Sequence, residues 1–193
     1  MNERRTFLSW LGLLTANLVY GRNHTSVMQT PVQFLFKDDG LIPNSRHPLL
    51  LYKNAFQARA DAGAQWLEQR FASHDWTNSW RNGVYGFHHY HSTSHEVLGV
   101  YTGSALLHLG GEHGTKVRVE AGDIVVIPAG VGHKNLESEG LGIVGAYPEG
   151  REWDINKGLP GERPKADEHI AALSIPKTDP LLGQKGGLLL IWK

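Results

Sequence analysis

The sequence predicts an all-β sandwich or barrel, and three observations lead there. Between Gly83 and Tyr147, short apolar or alternating runs follow one another at regular spacing: Val84–His91, Val97–Tyr101, Ala105–Leu109, Lys116–Glu120, Ile124–Ile127 and Gly142–Ala146. Glycine-rich breaks divide them, at Gly110–Gly111, Gly114 and Ala121–Gly122–Asp123. At 193 residues and 40% hydrophobic content, the chain is long enough for one well-buried core and short for two.

The elements follow in order. Residues 1–29 read as an N-terminal extension, and residues 30–193 as a single domain with its core at 83–147. Arg4 and Arg5 precede a modestly apolar stretch, Phe7 to Tyr20, in the manner of a twin-arginine leader. Two other readings stand beside it: a true start at Met28, or a docked helix with Phe7, Leu11, Leu14 and Leu18 on one face. The stretch is too short for a comfortable membrane span of roughly 20 residues, so stable membrane insertion is not expected. Cytoplasmic residence is the expectation, with the periplasm the alternative if residues 1–29 act as a leader.

Val32–Phe36, the Asp38–Asp39–Gly40 and Pro43–Asn44 turns, and Leu49–Tyr52 read as an N-terminal arm of strand, turn and strand. Asp61 is a plausible N-cap for a helix to about Phe71, with Trp66, Leu67 and Phe71 on one side. "SHDWTNSWRNG" reads as a loop whose Trp76 and Trp80 pack as a lid. Beyond the core, a Pro/Gly-rich loop leads to a short helix around Ala166–Leu173 and a last strand, Leu188–Trp192, suited to an open sheet edge.

Charge and composition exclude several functions. Lysine plus arginine balance aspartate plus glutamate at 19 each, with no basic run, so the footprint of a nucleic-acid binder is missing. Cysteine is absent, which removes disulfides, thiolate metal sites and cysteine nucleophiles. Any metal site must be built from histidine and carboxylate.

Such residues concentrate in "YGFHHYHSTSHEVLG", Tyr85 to Gly99. Strand alternation puts His89 and His91 on one side and His88 and Tyr90 on the other, and two imidazoles at i and i+2 can bind one ion. Tyr85 and Phe87 share the parity of the histidine pair. After the Ser-Thr-Ser turn, Glu96 shares a face with Leu98 and Val100, and His95 lies on the opposite one; parity alone leaves open which face points inward. A second histidine, His133, follows the rigid Pro128–Ala129–Gly130 turn. His24, His47, His74, His108, His113 and His169 carry no assigned role.

These residues resemble a known family. Gly83, His89, His91, Glu96 and Gly103 match every fixed position of the first cupin motif, and Gly122, Pro128, Gly130 and His133 match the second. One fixed position departs: the family's asparagine, which is not a metal ligand, is Glu137 here, with Asn135 two residues earlier. More narrowly, "FHHYHSTSHEVLG", "IPAGVGHK" and "KDDGLIPN" are similar to bacterial single-domain YjlB-like cupins from about residue 30 onward.

The resemblance implies a double-stranded β-helix, or jelly-roll barrel, with His89, His91, Glu96 and His133 converging on one divalent transition metal. Three imidazoles and a carboxylate suit Fe, Mn, Ni, Co or Zn, and leave two positions of an octahedral ion open. His95 is the rival to Glu96 as ligand. Tyr85, Phe87, Leu98, Val100 and Tyr147 are the candidate substrate-pocket residues, and in a barrel equally candidates for apolar core.

The favoured function is an oxygenase acting on a small organic substrate, with Glu96 as ligand and proton acceptor. A metal-dependent isomerase, epimerase or decarboxylase is the alternative within enzymes, and a non-catalytic metal or small-ligand binding module the alternative outside them. A homodimer formed through strand exchange or sheet extension is implied by the resemblance and suits the arm and the last strand.

Overall fold

The computed structural model describes residues 29–193, so the readings made on residues 1–28 lie outside the described residues. Ten elements follow in chain order: β1 (Val32–Phe34), β2 (Leu49–Tyr52), α1 (Ala60–Ala72), β3 (Trp76–Asn82), β4 (Glu96–Leu109), β5 (Thr115–Glu120), β6 (Ile124–Ile127), β7 (His133–Pro148), α2 (Lys165–Ala172) and α3 (Leu188–Ile191). The strands form one antiparallel sheet in the order β1-β2-β6-β4-β7-β3, with β5 hydrogen-bonded to β4.

The two-residue alternation of the strands sorts the apolar side chains into two cores. On one face Leu49 and Leu51 of β2, Leu98 and Val100 of β4, Val125 and Ile127 of β6 and Ile143 of β7 pack together. On the other, Leu50, Tyr52, Val97, Ile124, Val126, Val144 and Ala146 meet Leu67 and Phe71 of α1 and the C-terminal Leu188 and Trp192. The sheet is therefore covered outside by α1 and the tail, and its concave face holds the first core. Glu96, Leu98 and Val100 share a parity, so the glutamate enters the concave side.

Several sequence expectations need correction. "SHDWTNSWRNG" is not a loop: it contributes β3, an edge strand on β7 with a bulge between Thr77 and Trp80. Its polar residues face outward, and the bulge interrupts the alternation that would have identified it. Val84–His91 is not a regular strand. Only His89 and Tyr90 bridge, to His133 and Asn156, so this stretch is pinned at two points on either side of itself.

The expected runs Val97–Tyr101 and Ala105–Leu109 are one strand, β4, continuous through Gly103, and Gly142–Ala146 is the end of the longer β7. Leu188–Trp192 is a helical turn instead of a strand. Its buried residues, Leu188 and Trp192, are four apart, and Asp179 accepts the Leu188 N–H at 2.9 Å. A short apolar run does not distinguish the two by periodicity. The C-terminal strand invoked for sheet extension between copies is thus not present. Asp61 lies inside the first turn of α1, with Arg59 at the cap, and Trp66 is half-buried against Phe56 (ring centroids 5.0 Å apart). Among the described residues no helix is long and apolar enough to cross a membrane.

Candidate metal centre

The stretch that carries His89 and His91 is held against the start of β7 by a reciprocal pair of backbone bonds. His89 N–H donates to the His133 carbonyl at 3.2 Å, and His133 N–H to the His89 carbonyl at 2.9 Å. The pairing sets the two imidazoles on the same face, 4.0 Å apart between ring centroids. Gly130 makes the approach to His133 possible: its φ of 91° is in the left-handed region, and a Cβ there would lie 2.2 Å from the Asn44 carbonyl.

The ring nitrogens of His89, His91 and His133 contribute donor atoms that all lie within 4.8 Å of one another. Glu96, at the first position of β4, projects from the neighbouring strand into the same space. Its Oε2 is 3.5 Å from His91 Nε2 and 3.3 Å from His133 Nε2. All four side chains are buried.

Each ring has its tautomer fixed. Nδ1 of His89 faces the Phe87 carbonyl at 3.3 Å, Nδ1 of His133 the Val131 carbonyl at 3.1 Å, and Nδ1 of His91 the Asp154 carbonyl. A carbonyl can only accept, so each Nδ1 donates its proton outward and each Nε2 presents its lone pair inward. This is the arrangement that metal-ligating imidazoles require.

The electrostatics separate His89, which stays neutral, from His91, whose proton affinity the Glu96 carboxylate increases. Burial, together with the neighbouring His133 and His91, pushes His89 down to about 3, so it is neutral at ordinary pH. Burial also works against a charged His91, but the Glu96 carboxylate overrides it and raises this ring above the usual histidine value. Burial would raise Glu96, yet the charges of the His91 and His133 rings beside it hold it well below the usual carboxylate range. Glu96 Oε2 is buried without a hydrogen-bond partner. When the two rings are in the neutral form that ligates, this buried carboxylate oxygen lacks a counter-charge, which a cation would supply. Two donors bound to one ion at about 2.0–2.2 Å stand roughly 3.0–3.5 Å apart, the separation of Glu96 from His91 and His133, and His89 lies within 4.8 Å of those two rings.

The other carboxylate oxygen is fixed by a relay. Tyr147 O–H donates to Glu96 Oε1 at 3.0 Å, and Trp80 Nε1–H donates to the Tyr147 oxygen at 2.8 Å. Burial and the Glu96 charge raise Tyr147 far above the ordinary phenol value, so it stays protonated as a donor. Trp80 owes its seat to Gly145, its partner across β3 and β7: a Cβ at Gly145 would lie 2.2 Å from the indole ring.

A cavity of about 460 Å³ opens over the quartet, with Trp80, Tyr85, Leu98, Tyr147 and Trp153 among its walls and Asn78, Arg81 and Asn82 toward its mouth. Of the candidate pocket residues, Tyr85, Leu98 and Tyr147 line this cavity. Phe87 and Val100 do not. Phe87 is turned out against Tyr85 with Lys157 Nζ over its ring, and Val100 lies deeper, within the apolar core.

His95 is on the other side of β4 from Glu96. Its Nδ1 accepts the Ala129 N–H at 3.0 Å, its ring lies 5.0 Å from Trp192, and burial pushes it down to about 4. Tyr90 packs with Ile42, Ala166 and Ile170, under the N-terminal arm and α2.

Three contributors were not legible in the sequence. Trp80 was hidden in the bulged strand. Trp153 stacks on Tyr147 and meets His91 edge-on, and Asp154 holds the His91 ring; both stand some sixty residues from the histidines they serve. Asp154 is itself held by Ser92 N–H at 2.6 Å and the Asn156 amide at 2.8 Å. Nothing local in "GREWDIN" signals these contacts.

The antiparallel sheet, with three clustered buried histidines and the buried Glu96 under an open cavity, is a double-stranded β-helix. The chain belongs to the family of uncharacterized protein YjlB of Bacillus subtilis (strain 168), which is 43% identical over 161 residues, 82% of this chain and 94% of the relative. No protein-family model matches the chain.

Among solved structures, procruciferin, an 11S globulin of Brassica napus, is similar with 21% identity, 47% of this chain and 28% of that chain covered, and a TM-score of 0.34. Acireductone dioxygenase from Bacillus anthracis, with a cadmium ion in its active centre, gives 18%, 57%, 54% and 0.29. A mutant of Bacillus subtilis oxalate decarboxylase gives 16%, 69%, 36% and 0.35. The matches thus span between 28% and 54% of these solved chains.

Proposed function

We propose that this protein is a metal-dependent enzyme that holds one divalent transition metal through His89, His91, Glu96 and His133, and that it oxygenates a small organic substrate. The observation that carries the reading is the set of three inward Nε2 atoms around an unpartnered carboxylate oxygen, beneath a cavity of about 460 Å³. That volume suits a small ligand, and four protein donors would leave a six-coordinate ion two positions for substrate or water. Iron or manganese in this donor set supplies Lewis acidity and access to one-electron chemistry.

The chain's own residues do the rest. The Phe87, Val131 and Asp154 carbonyls orient the imidazoles. Tyr147 and Trp80 fix Glu96 Oε1, so that Oε2 is left for the metal. Glu96, held below the usual carboxylate range, would hold the metal through Oε2, and as a wall of the cavity it is also placed to accept a proton from a substrate. Trp80, Tyr85, Tyr147 and Trp153 wall the cavity with aromatic faces, which exclude water and favour a flat, partly apolar substrate.

The test is oxygen consumption by the full chain reconstituted separately with Fe(II) and Mn(II), against a panel of small enols, diols and dicarboxylic acids. Uptake that disappears in His133→Ala is the expected result. Turnover that persists under anaerobic conditions would replace the oxygenase with a Lewis-acid isomerase or decarboxylase at the same centre.

A further inference from the structure

The parity that turns His89 and His133 inward turns His88 and Lys134 outward, and His108, which pairs with Lys134 across β4 and β7, lies beside them. Here a second cluster forms on the convex side of the ladder. The rings of His88 and His108 are 4.9 Å apart, and Glu112, on the turn between β4 and β5, brings its carboxylate to 3.5 Å from His88 Nε2. One donor atom from each of the three lies within 4.8 Å of the others.

Independently, His88 has a side chain only 9% exposed, and both of its ring nitrogens are buried with no hydrogen-bond partner among the described residues. A buried imidazole normally satisfies at least one nitrogen, since an unpaired polar group away from water costs about 1–3 kcal/mol.

The geometry points to a second divalent-metal site at His88, His108 and Glu112, of zinc-type preference, separate from the interior centre. Two nitrogens and one oxygen with a fourth position open to solvent suit zinc, and 3.5 Å between His88 and Glu112 is the separation of two donors sharing one ion. The Gly114 carbonyl faces the His108 ring and leaves its other nitrogen for the ion.

One group competes. Lys134 Nζ stands 2.6 Å from Glu112 Oε1, and Lys116 lies across from His108 on β5. A dication must take the carboxylate from Lys134, so the site is weaker than the interior one. Bound there, zinc would fasten the irregular stretch around His88 to β4, and with it the adjacent His89.

The experiment is calorimetric titration of the untagged full chain with zinc chloride. The wild type is expected to show a tight and a weaker class of zinc, one ion each. Glu112→Gln, an exposed change that leaves the fold alone, removes the weaker class, and His108→Gln does the same. Lys134→Met tightens it roughly two- to fivefold, the strength of an exposed ion pair. A weaker zinc unaffected by both Glu112→Gln and His108→Gln, the absence of any zinc sensitive to them, or unchanged or weaker binding in Lys134→Met would overturn the site.

Discussion

Two histidine clusters lie back to back on the same ladder, and they differ in how much of a metal site the protein builds before an ion arrives. Inside, three rings are buried, each with its Nδ1 proton given to a backbone carbonyl, and among the described residues no lysine or arginine pairs with the Glu96 carboxylate, which faces His91, His133 and Tyr147. Outside, the His88 ring has no partner, Glu112 is exposed, and Lys134 already holds it. The contrast teaches that histidine density is a poor guide to a site. What separates the two is the set of groups behind the ligands: the local Phe87 and Val131 carbonyls, and Asp154, Tyr147 and Trp80 from distant parts of the chain.

The comparison can be broken at its strongest point first. His91→Ala removes a donor and leaves Glu96 facing one fewer imidazole. Metal affinity of the interior centre should fall by more than about a hundredfold, the upper range for losing only a supporting partner, as read by competition with a chromophoric chelator.

Tyr147→Phe deletes only the hydroxyl that fixes Glu96 Oε1. The expected loss is about 10- to 100-fold in interior metal affinity, with the weaker outer class of zinc unchanged in the same titration. An equal loss at both would mean a global change.

Gly145→Val tests the scaffold of the inner site without touching a ligand. The new side chain drives Trp80 from its seat and should destabilise the protein by about 1–3 kcal/mol in urea unfolding.

The smallest effect is on the acid limb of stability. Burial would raise the Asp154 carboxyl, but the Ser92 and Asn156 bonds and the Ser92 and Thr93 N–H groups hold it below the ordinary 3.8. A carboxyl depressed in the folded state stabilises at pH above its unfolded value, and that contribution disappears as pH falls through the folded value. Asp154→Asn should therefore lower stability near neutrality and flatten its decline below about pH 4 in denaturation curves measured at several pH values.

How much of this was legible in the sequence follows from the physics of each signal. β2 and β6 are short apolar runs between turns and appear at the expected residues, because both faces of those strands are covered. The face of Glu96 was open until packing resolved it: Leu98 and Val100 belong to the concave core, and the glutamate shares their parity. The tail was misread because Leu188–Trp192 is apolar throughout, and an apolar run suits a buried strand or a helical turn equally. His108 was given no role because its partners, His88 and Lys134, are neighbours only across the sheet. Spacing along one segment can locate ligands that share a strand; it carries no information on a carbonyl sixty residues away that aims the ring.

The most direct measurement is the metal content of the Glu112→Gln chain, in which the outer site is removed, beside the Glu112→Gln, His133→Gln double variant, both loaded with the same ion and dialysed. The account predicts one tightly held ion per chain in the first and none in the second, with both proteins folded by circular dichroism. Equal metal content in the two folded proteins would contradict it.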